Sequence, residues 1–141
     1  MLQQAHGPWE GAWDVPGGFC DVDEHPIETV KRTTLDEAGL AVRVTGYLGA
    51  WLGTFPRTAG STEQVETLTL CYHAIPEKGA TLRIDHTAVR EADWFLPSNL
   101  PELIAFPGYL RPVLHAWREA LRTGLTQTPL MDAPLRTGGT S

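Results

Sequence analysis

Two adjacent carboxylates, Asp36 and Glu37, are the residues of this chain best suited to chemistry. They stand near the end of a predicted helix that follows the paired glycines Gly17 and Gly18. At about 100° per residue, positions 33, 36 and 37 share one arc of roughly 100°, so both carboxylates project together. Such a pair repels unless a cation lies between its members, which indicates a divalent metal. On spacing alone, a solvated acidic helix face is the favoured alternative.

The sequence around this pair makes the metal interpretation stronger. Residues 18–40 resemble the Nudix box, whose pattern is G-x5-E-x7-R-E-U-x-E-E-x-G-U with U an aliphatic residue, and they align with it without a gap. The segments WEGAWDVPGGF before the box and DWFLPSNLPELIAFPG after it also resemble Nudix sequence, so the likeness covers most of residues 9–121. The matching positions are Gly18, Glu24, Arg32, Glu37, Gly39 and Leu40, with Asp36 replacing a glutamate.

The resemblance implies a hydrolase that cleaves the diphosphate of a nucleoside diphosphate linked to another moiety, using Mg²⁺ or Mn²⁺. Its substrate would be a small nucleotide. Carried over position by position, Glu37 and Asp36 would be metal ligands together with the backbone carbonyl near Gly18. Arg32 and Glu24 would complete the catalytic set as an orienting ion pair. The alternative for Arg32 is an exposed ion pair with Glu28, four residues earlier, which would stabilise the helix by roughly 0.3–0.5 kcal/mol.

Two box positions depart from the pattern: Thr33 replaces a glutamate and Thr34 an aliphatic residue. A neutral hydroxyl is a weaker ligand than a carboxylate, so we expect lower metal affinity. Magnesium is often held by one or two protein carboxylates, with phosphates and water completing its coordination, so slowed catalysis remains compatible with the sequence. The alternative is a degenerate Nudix domain that binds nucleotide or a partner without catalysis. A third interpretation, a plain structural domain, would require the match to the Nudix box to be accidental.

A further departure precedes the Trp-Phe pair that begins at Trp94. Family members often carry a glutamate shortly before that pair, whereas this chain has Ala88 six residues before Trp94. Asp85 and Glu91 are nearby alternatives, but no motif places them. For each of the two, an ordinary surface acid is the favoured interpretation.

Substrate contacts are predicted from aromatic and cationic residues near the box. Trp9, Phe19, Trp51 and Phe55 are candidates for stacking on a base, because aromatic faces bind bases of any identity. For Trp51 a place in the core is equally expected. Arg57 lies in a loop from which it would reach a phosphate, although a solvated loop arginine is at least as common.

Composition limits the function classes. The chain has 141 residues, a net charge of -6 and 42% hydrophobic residues, which indicates one globular domain. The acidic balance argues against a broad nucleic-acid surface. Two cysteines without metal-ligand spacing make a zinc site improbable. The sequence also contains neither a signal segment nor an apolar run long enough to span a membrane, so we expect a cytoplasmic protein.

The pattern of elements predicts an α/β fold, a Nudix-like α/β/α sandwich with a mixed central sheet. One domain is expected over residues 1–122, followed by a tail over 123–141. The start MLQQAH resembles the end of a strand, so we expect the domain to be short at its N-terminus, with an upstream segment or a second copy of the chain, as in a homodimer, filling the gap. The predicted elements are a helix from His25 to Gly39, strands over 42–55 and 65–75, a hairpin through 81–85 and 91–96, and a helix over 109–122.

Overall fold

The structure is a computed structural model that describes residues 1–58 and 60–124. Its elements in chain order are β1 (Leu2–Gln4), β2 (Trp13–Asp14), α1 (Pro26–Ala38), β3 (Val42–Pro56), β4 (Gln64–Pro76), β5 (Val89–Ala92) and α2 (Pro107–Thr123). The predicted tail lies outside the described residues from position 125 onward. Neither described helix combines the length and apolar character needed to cross a membrane.

Helix α1 begins and ends where its sequence signals predict. The His25 ring accepts a hydrogen bond from the Ile27 N–H at 3.2 Å, and Pro26 is the first helical residue. Gly39 ends the helix with φ 67°, a left-handed conformation that favours glycine, and its N–H donates to the Leu35 carbonyl. These caps hold the acidic end of the helix in a defined position.

Strands β3 and β4 lie where two strands are predicted, and they form a long antiparallel hairpin with register from Val42 opposite Pro76 to Pro56 opposite Gln64. A second sheet has the order β2-β1-β5, with antiparallel pairs throughout. A parallel bridge between Trp13 and Ile104 ties β2 to the segment before α2. The content of helices and strands confirms the predicted α/β class.

The two helices contribute to different core clusters. The first cluster joins the end of α1 to β1, β3 and β5, and the second joins α2 to β4. The first contains Leu2, Ala38, Leu40, Val42 and Val89, and the second contains Cys71, Ile104, Leu110 and Val113. The acidic end of α1 therefore packs into the first cluster through Ala38.

The predicted hairpin through 81–85 and 91–96 is wrong. Residues 81–85 form no strand, because this segment follows the end of α1 instead: the Arg83 N–H donates to the Ala38 carbonyl at 2.8 Å. Arg83 also lies so near Gly39 that a Cβ there would be 2.6 Å from its carbonyl oxygen. The second half of the predicted hairpin overlaps only the last two residues of β5, and β5 pairs with β1.

Candidate active site

Three carboxyl groups lie at the ends of α1 and β2, near enough for the charges of two of them to raise the pKa of the third. They belong to Asp36 and Glu37 on the last turn of α1 and to Asp14 at the end of β2, and we call them the acidic group. Burial and the charges of Asp14 and Asp36 raise the pKa of Glu37 to about 7, although a hydrogen bond from the Gly17 N–H lowers it. Glu37 is half-buried, whereas Asp36 is exposed. Gly17 of the glycine pair therefore contacts the acidic group directly.

Asp14 is the member that the sequence analysis missed. Its carboxylate accepts hydrogen bonds from the Val15 N–H at 2.7 Å and from the Gln4 side-chain amide at 3.3 Å. Burial raises the pKa of Asp14 to about 6 despite these bonds. The available signal was an acidic residue three positions before the glycine pair, in a strand too short to be recognised by alternation.

The acidic group suits a divalent cation. In the described part of the chain, no Lys, Arg or His forms an ion pair with Asp14 or Glu37. Close carboxylates without a cation raise one another's pKa, as is seen at Glu37, and a hard cation relieves that repulsion. Over residues 1–58 and 60–124, no set of three His, Cys, Asp or Glu side chains is close enough to form a complete metal site. A cation at this site would therefore take few ligands from these side chains, and substrate and water would have to complete its coordination.

Arg32 and Glu24 form a bidentate ion pair beside this group. The arginine Nε and Nη2 atoms lie 2.7 and 2.8 Å from the two carboxylate oxygens. Arg32 also donates to the Phe19 carbonyl at 3.0 Å, and the Thr29 hydroxyl donates to Glu24 at 2.6 Å. The bonds from Arg32 and Thr29 lower the pKa of Glu24 to about 2. This network fixes the loop after the glycine pair against α1.

The alternative partner considered for Arg32 is engaged elsewhere. Glu28 pairs with Lys31 at 3.0 Å on the solvent face of α1. Arg32 instead lies towards the loop, where Asp21 approaches its Nε atom at 3.5 Å. Glu28 therefore forms its exposed ion pair with Lys31 and not with Arg32.

Thr33 is a packing residue in this structure. Its side chain is 5% exposed, and its hydroxyl donates to the Thr29 carbonyl at 2.8 Å. Its methyl group lies against Gly18, where an added Cβ would be 3.1 Å from it. The hydroxyl is thus used by the helix backbone, and the carboxylate that the Nudix pattern places here has no replacement at this position.

The acids proposed near Ala88 have local roles. Asp85 accepts hydrogen bonds from the Thr87 N–H and hydroxyl at 2.9 and 2.7 Å. Glu91 is an exposed residue of β5 opposite Gln3. Neither contacts the acidic group in the hydrogen bonds or ion pairs of the described residues.

The predicted substrate residues occupy different environments. Phe19 is 57% exposed beside the glycine pair, and Arg57 forms an exposed ion pair with Glu63 at 2.9 Å. Trp51 packs against the core cluster below α2. Trp9 is half-buried, and its ring centre lies 5.5 Å from that of Phe106. Trp9 thus packs on another aromatic ring, whereas Phe19 is largely open to solvent.

The fold has a solved counterpart. It is similar to the crystal structure of a MutT NUDIX hydrolase from Burkholderia pseudomallei, with a TM-score of 0.65 and 22% sequence identity. The similarity covers 82% of this chain and 84% of that chain. At this identity the comparison establishes the fold.

Two curated proteins are similar in sequence. The chain is 29% identical over 96 residues to the human protein named NAD(P)H pyrophosphatase NUDT13, mitochondrial, which is 67% of this chain and 25% of that protein. It is 28% identical over 103 residues to the ADP-ribose pyrophosphatase of Methanocaldococcus jannaschii, 73% of this chain and 57% of that protein. The chain therefore spans less than two thirds of the length of either relative.

A family model gives the assignment. The NUDIX domain model matches residues 1–116, well over half of the chain. Together with the similar fold, this match confirms the resemblance found in residues 18–40. The chain belongs to the NUDIX domain family.

Proposed function

We propose that this chain is a divalent-cation-dependent hydrolase that cleaves the diphosphate of a nucleoside diphosphate linked to another moiety. The observation that carries the proposal is the acidic group, in which Asp14 and Glu37 form no ion pair with a Lys, Arg or His among the described residues. The relatives named for NAD(P)H and ADP-ribose support the substrate class, because both compounds carry a diphosphate between adenosine and a second moiety.

Glu37 and Asp36 are the proposed ligands of Mg²⁺ or Mn²⁺, with the backbone carbonyl near Gly18 as a further ligand. When bound, such a cation neutralises the diphosphate and makes attacking water more acidic. Glycine at position 18 leaves room above the Thr33 methyl group for the backbone to lie close to α1. The negative charge of Asp14 attracts a cation and also raises the pKa of Glu37, so a cation bound at Glu37 would displace the proton that Glu37 otherwise holds near pH 7.

Glu24 and Arg32 have the proposed role of positioning residues. Their bidentate pair, with the bond from Arg32 to the Phe19 carbonyl, holds the loop that follows the glycine pair. Such partners orient the ligands that touch a metal, and their loss typically lowers metal affinity or activity by roughly 10- to 100-fold.

The second candidate is a NUDIX domain that binds nucleotide without turnover. Thr33 favours it, because its hydroxyl is committed to the Thr29 carbonyl and supplies no charge. In both candidates, Arg57 is the proposed contact for a phosphate, and Phe19, Trp9 and Trp51 are the proposed contacts for a base. A site with few carboxylates still suits magnesium when the substrate supplies phosphate oxygens, so we favour the hydrolase.

The test is a hydrolysis panel of nucleotide sugars, dinucleotides and nucleoside triphosphates with Mg²⁺ or Mn²⁺. We expect product release that Glu37→Gln reduces to background. Glu28→Gln is the matched control, since Glu28 lies on the solvent face of the same helix. Saturable nucleotide binding without turnover above the Glu37→Gln background would contradict the hydrolase and establish the binding module.

Three further expectations remain proposals. We propose one domain over residues 1–122 and a cytoplasmic location, although one relative is named as mitochondrial. We also propose that the chain forms a homodimer. Size measurement by light scattering tests the homodimer, and a stable monomer with cooperative unfolding would contradict the need for a partner.

A further inference from the structure

The hairpin of β3 and β4 has one covered face and one open face. On the covered face, Trp51 and Cys71 pack in the core cluster of α2. Successive side chains of a strand point to opposite faces of its sheet, so the residues next to these two point the other way. We call this open side the outer face, and its members are Tyr47, Ala50, Leu52, Leu68, Leu70 and Tyr72.

The outer face is apolar and largely open to solvent. Leu52 and Leu68 lie directly opposite each other on the two strands, and they are 64% and 67% exposed. Leu70 and Tyr47 are also exposed. None of the six members carries a charge, whereas 20% of the residues in the chain are charged. Single exposed leucines are ordinary, but large apolar side chains grouped on one exposed surface mark an interaction site.

The apolar surface continues from Tyr72 onto the loop before α1. Tyr72 lies near Cys20, because the charge of Cys20 is among the causes that raise the pKa of the Tyr72 hydroxyl, after burial and Tyr47. Phe19 and Val22, which flank this cysteine in the loop, are 57% and 93% exposed. A partner on the outer face would therefore also lie against this loop.

The chemistry of the outer face favours a protein partner. The face contains neither Lys nor Arg, so it offers no cation to a nucleic acid or to an anionic lipid surface. It is one side of a two-stranded sheet, whereas small ligands bind in concave sites. At strand spacings of about 4.8 Å and about 3.3 Å per residue, the face with its adjoining loop measures roughly 400 Å². Two such surfaces in contact bury roughly 800 Å², so we expect a weak and reversible association.

The two ends of the outer face are complementary to each other. Tyr72 lies at one end, and burial raises the pKa of its hydroxyl, which therefore remains a hydrogen-bond donor. Glu66 is exposed beyond Leu68 at the other end, on the same side of β4. A two-fold axis that crosses the face between Leu68 and Leu70 brings Glu66 of each copy over Tyr72 of the other. A carboxylate then meets a hydroxyl donor twice.

The same axis also matches the apolar side chains. It brings Leu68 of each copy over Leu70 of the other, because the two residues lie at equal distances from the axis. On the neighbouring strand, Leu52 and Ala50 are the cross-strand partners of these leucines. Leu52 of each copy therefore lies over Ala50 of the other, a large side chain over a small one. A second copy of the chain thus fits the face in size as well as in polarity.

We propose that the outer face is the interface of the homodimer, in which two copies of the chain pack their β3–β4 hairpins face to face about this two-fold axis. The inference assigns a surface to the homodimer. It is independent of the proposed hydrolysis, because its test measures no turnover.

The experiment measures the mass of the purified chain by sedimentation equilibrium from about 1 µM to about 1 mM, a range that covers weak association. We expect the natural chain to form monomers and dimers in exchange. Leu68→Glu and Leu70→Lys each place a charge in an apolar contact, so each should weaken dimerisation by at least about tenfold. Leu96→Glu and Leu103→Lys are the matched controls, since these leucines are 69% and 60% exposed outside the outer face. Both controls should dimerise like the natural chain.

A mixture of the two interface variants tests how the faces pair. In a mixed dimer, the new carboxylate of Leu68→Glu lies over the new ammonium group of Leu70→Lys, and the second contact keeps its natural leucines. We expect the mixture to dimerise at least about tenfold more tightly than either variant alone. Only an interface in which the outer face meets itself produces this recovery.

Three results would overturn the inference. A natural chain that stays monomeric over the whole range would mean that another partner or segment covers the face. Dimerisation that Leu68→Glu leaves intact would place the interface elsewhere, while the homodimer itself would stand. Monomeric variants that do not associate when mixed would mean that the face meets a different surface. Thermal unfolding checks that each variant is folded, and Leu52→Glu gives an independent test on the opposite strand.

Discussion

Replacing Asp14 by asparagine should change how the stability of this chain depends on pH. Burial raises the pKa of Asp14 from 3.8 to about 6, so the folded chain keeps a proton that the unfolded chain has lost. Between these values the folded state binds more protons, and the free energy of unfolding falls as pH rises. This decrease in the free energy of unfolding is complete above about pH 6 and amounts to about 3 kcal/mol.

Asparagine has nearly the same shape and does not ionise, so the variant lacks this loss. About 2 of the 3 kcal/mol falls between about pH 4.5 and about pH 7.5. Asp14→Asn should therefore gain about 2 kcal/mol relative to the natural chain over that interval. Removal of the Asp14 charge also lets the pKa of Glu37 fall towards its ordinary value, which acts in the same direction.

The assay is urea unfolding followed by tryptophan fluorescence, in EDTA, at both pH values. Asp85→Asn is the control: hydrogen bonds from Thr87 lower the pKa of this exposed carboxyl. Its contribution to stability is therefore fully present above pH 3.8 and does not change across the interval. Equal pH dependence in Asp14→Asn and the natural chain would refute the claim that Asp14 is a buried, unpaired carboxyl.

Three further substitutions test the frame of the site. Thr33→Glu adds a buried carboxylate and should lower the free energy of unfolding in EDTA by roughly 3 kcal/mol. In thermal melts, Mn²⁺ should reduce this loss and should leave the stability of the control Thr33→Val unchanged. A loss that is the same with and without Mn²⁺ would argue against a cation at this site. Gly39→Ala should lower the free energy of urea unfolding by roughly 2 kcal/mol or more, because a Cβ would meet Arg83 at 2.6 Å, and an unchanged midpoint would contradict that contact. Arg32→Lys loses the bidentate pair with Glu24 and should weaken apparent Mn²⁺ affinity in the hydrolysis assay by roughly 10- to 100-fold, with no further loss when combined with Glu24→Gln.

Local signals allowed much of the fold to be predicted. Helix α1 was recognised because Pro26 and Gly39 fix its ends through backbone conformation alone. The hairpin of β3 and β4 was recognised because its two strands are long and adjacent in sequence. The segment around Arg83 was mispredicted because its backbone bonds to the end of α1, a tertiary contact that a strand-like sequence does not reveal.

The candidate site was predictable only where a motif sets the spacing. The ion pair between Arg32 and Glu24, eight residues apart, is predictable because the Nudix pattern relates their positions. The structure places the two side chains in contact. Asp14 is 23 positions from Glu37, and only folding brings β2 beside α1. The hydrogen bond that engages the Thr33 hydroxyl likewise depends on a rotamer that the sequence does not specify.

The central claim is that Glu37 and Asp36 hold a divalent cation, and that the chain needs this cation to hydrolyse a diphosphate. The most direct measurement is the release of AMP from ADP-ribose by the purified chain, with Mn²⁺, with EDTA, and with Glu37→Gln in Mn²⁺. The proposal predicts release that needs the cation and falls by roughly 100-fold in Glu37→Gln. Release that persists in EDTA, or that Glu37→Gln leaves intact, would contradict it.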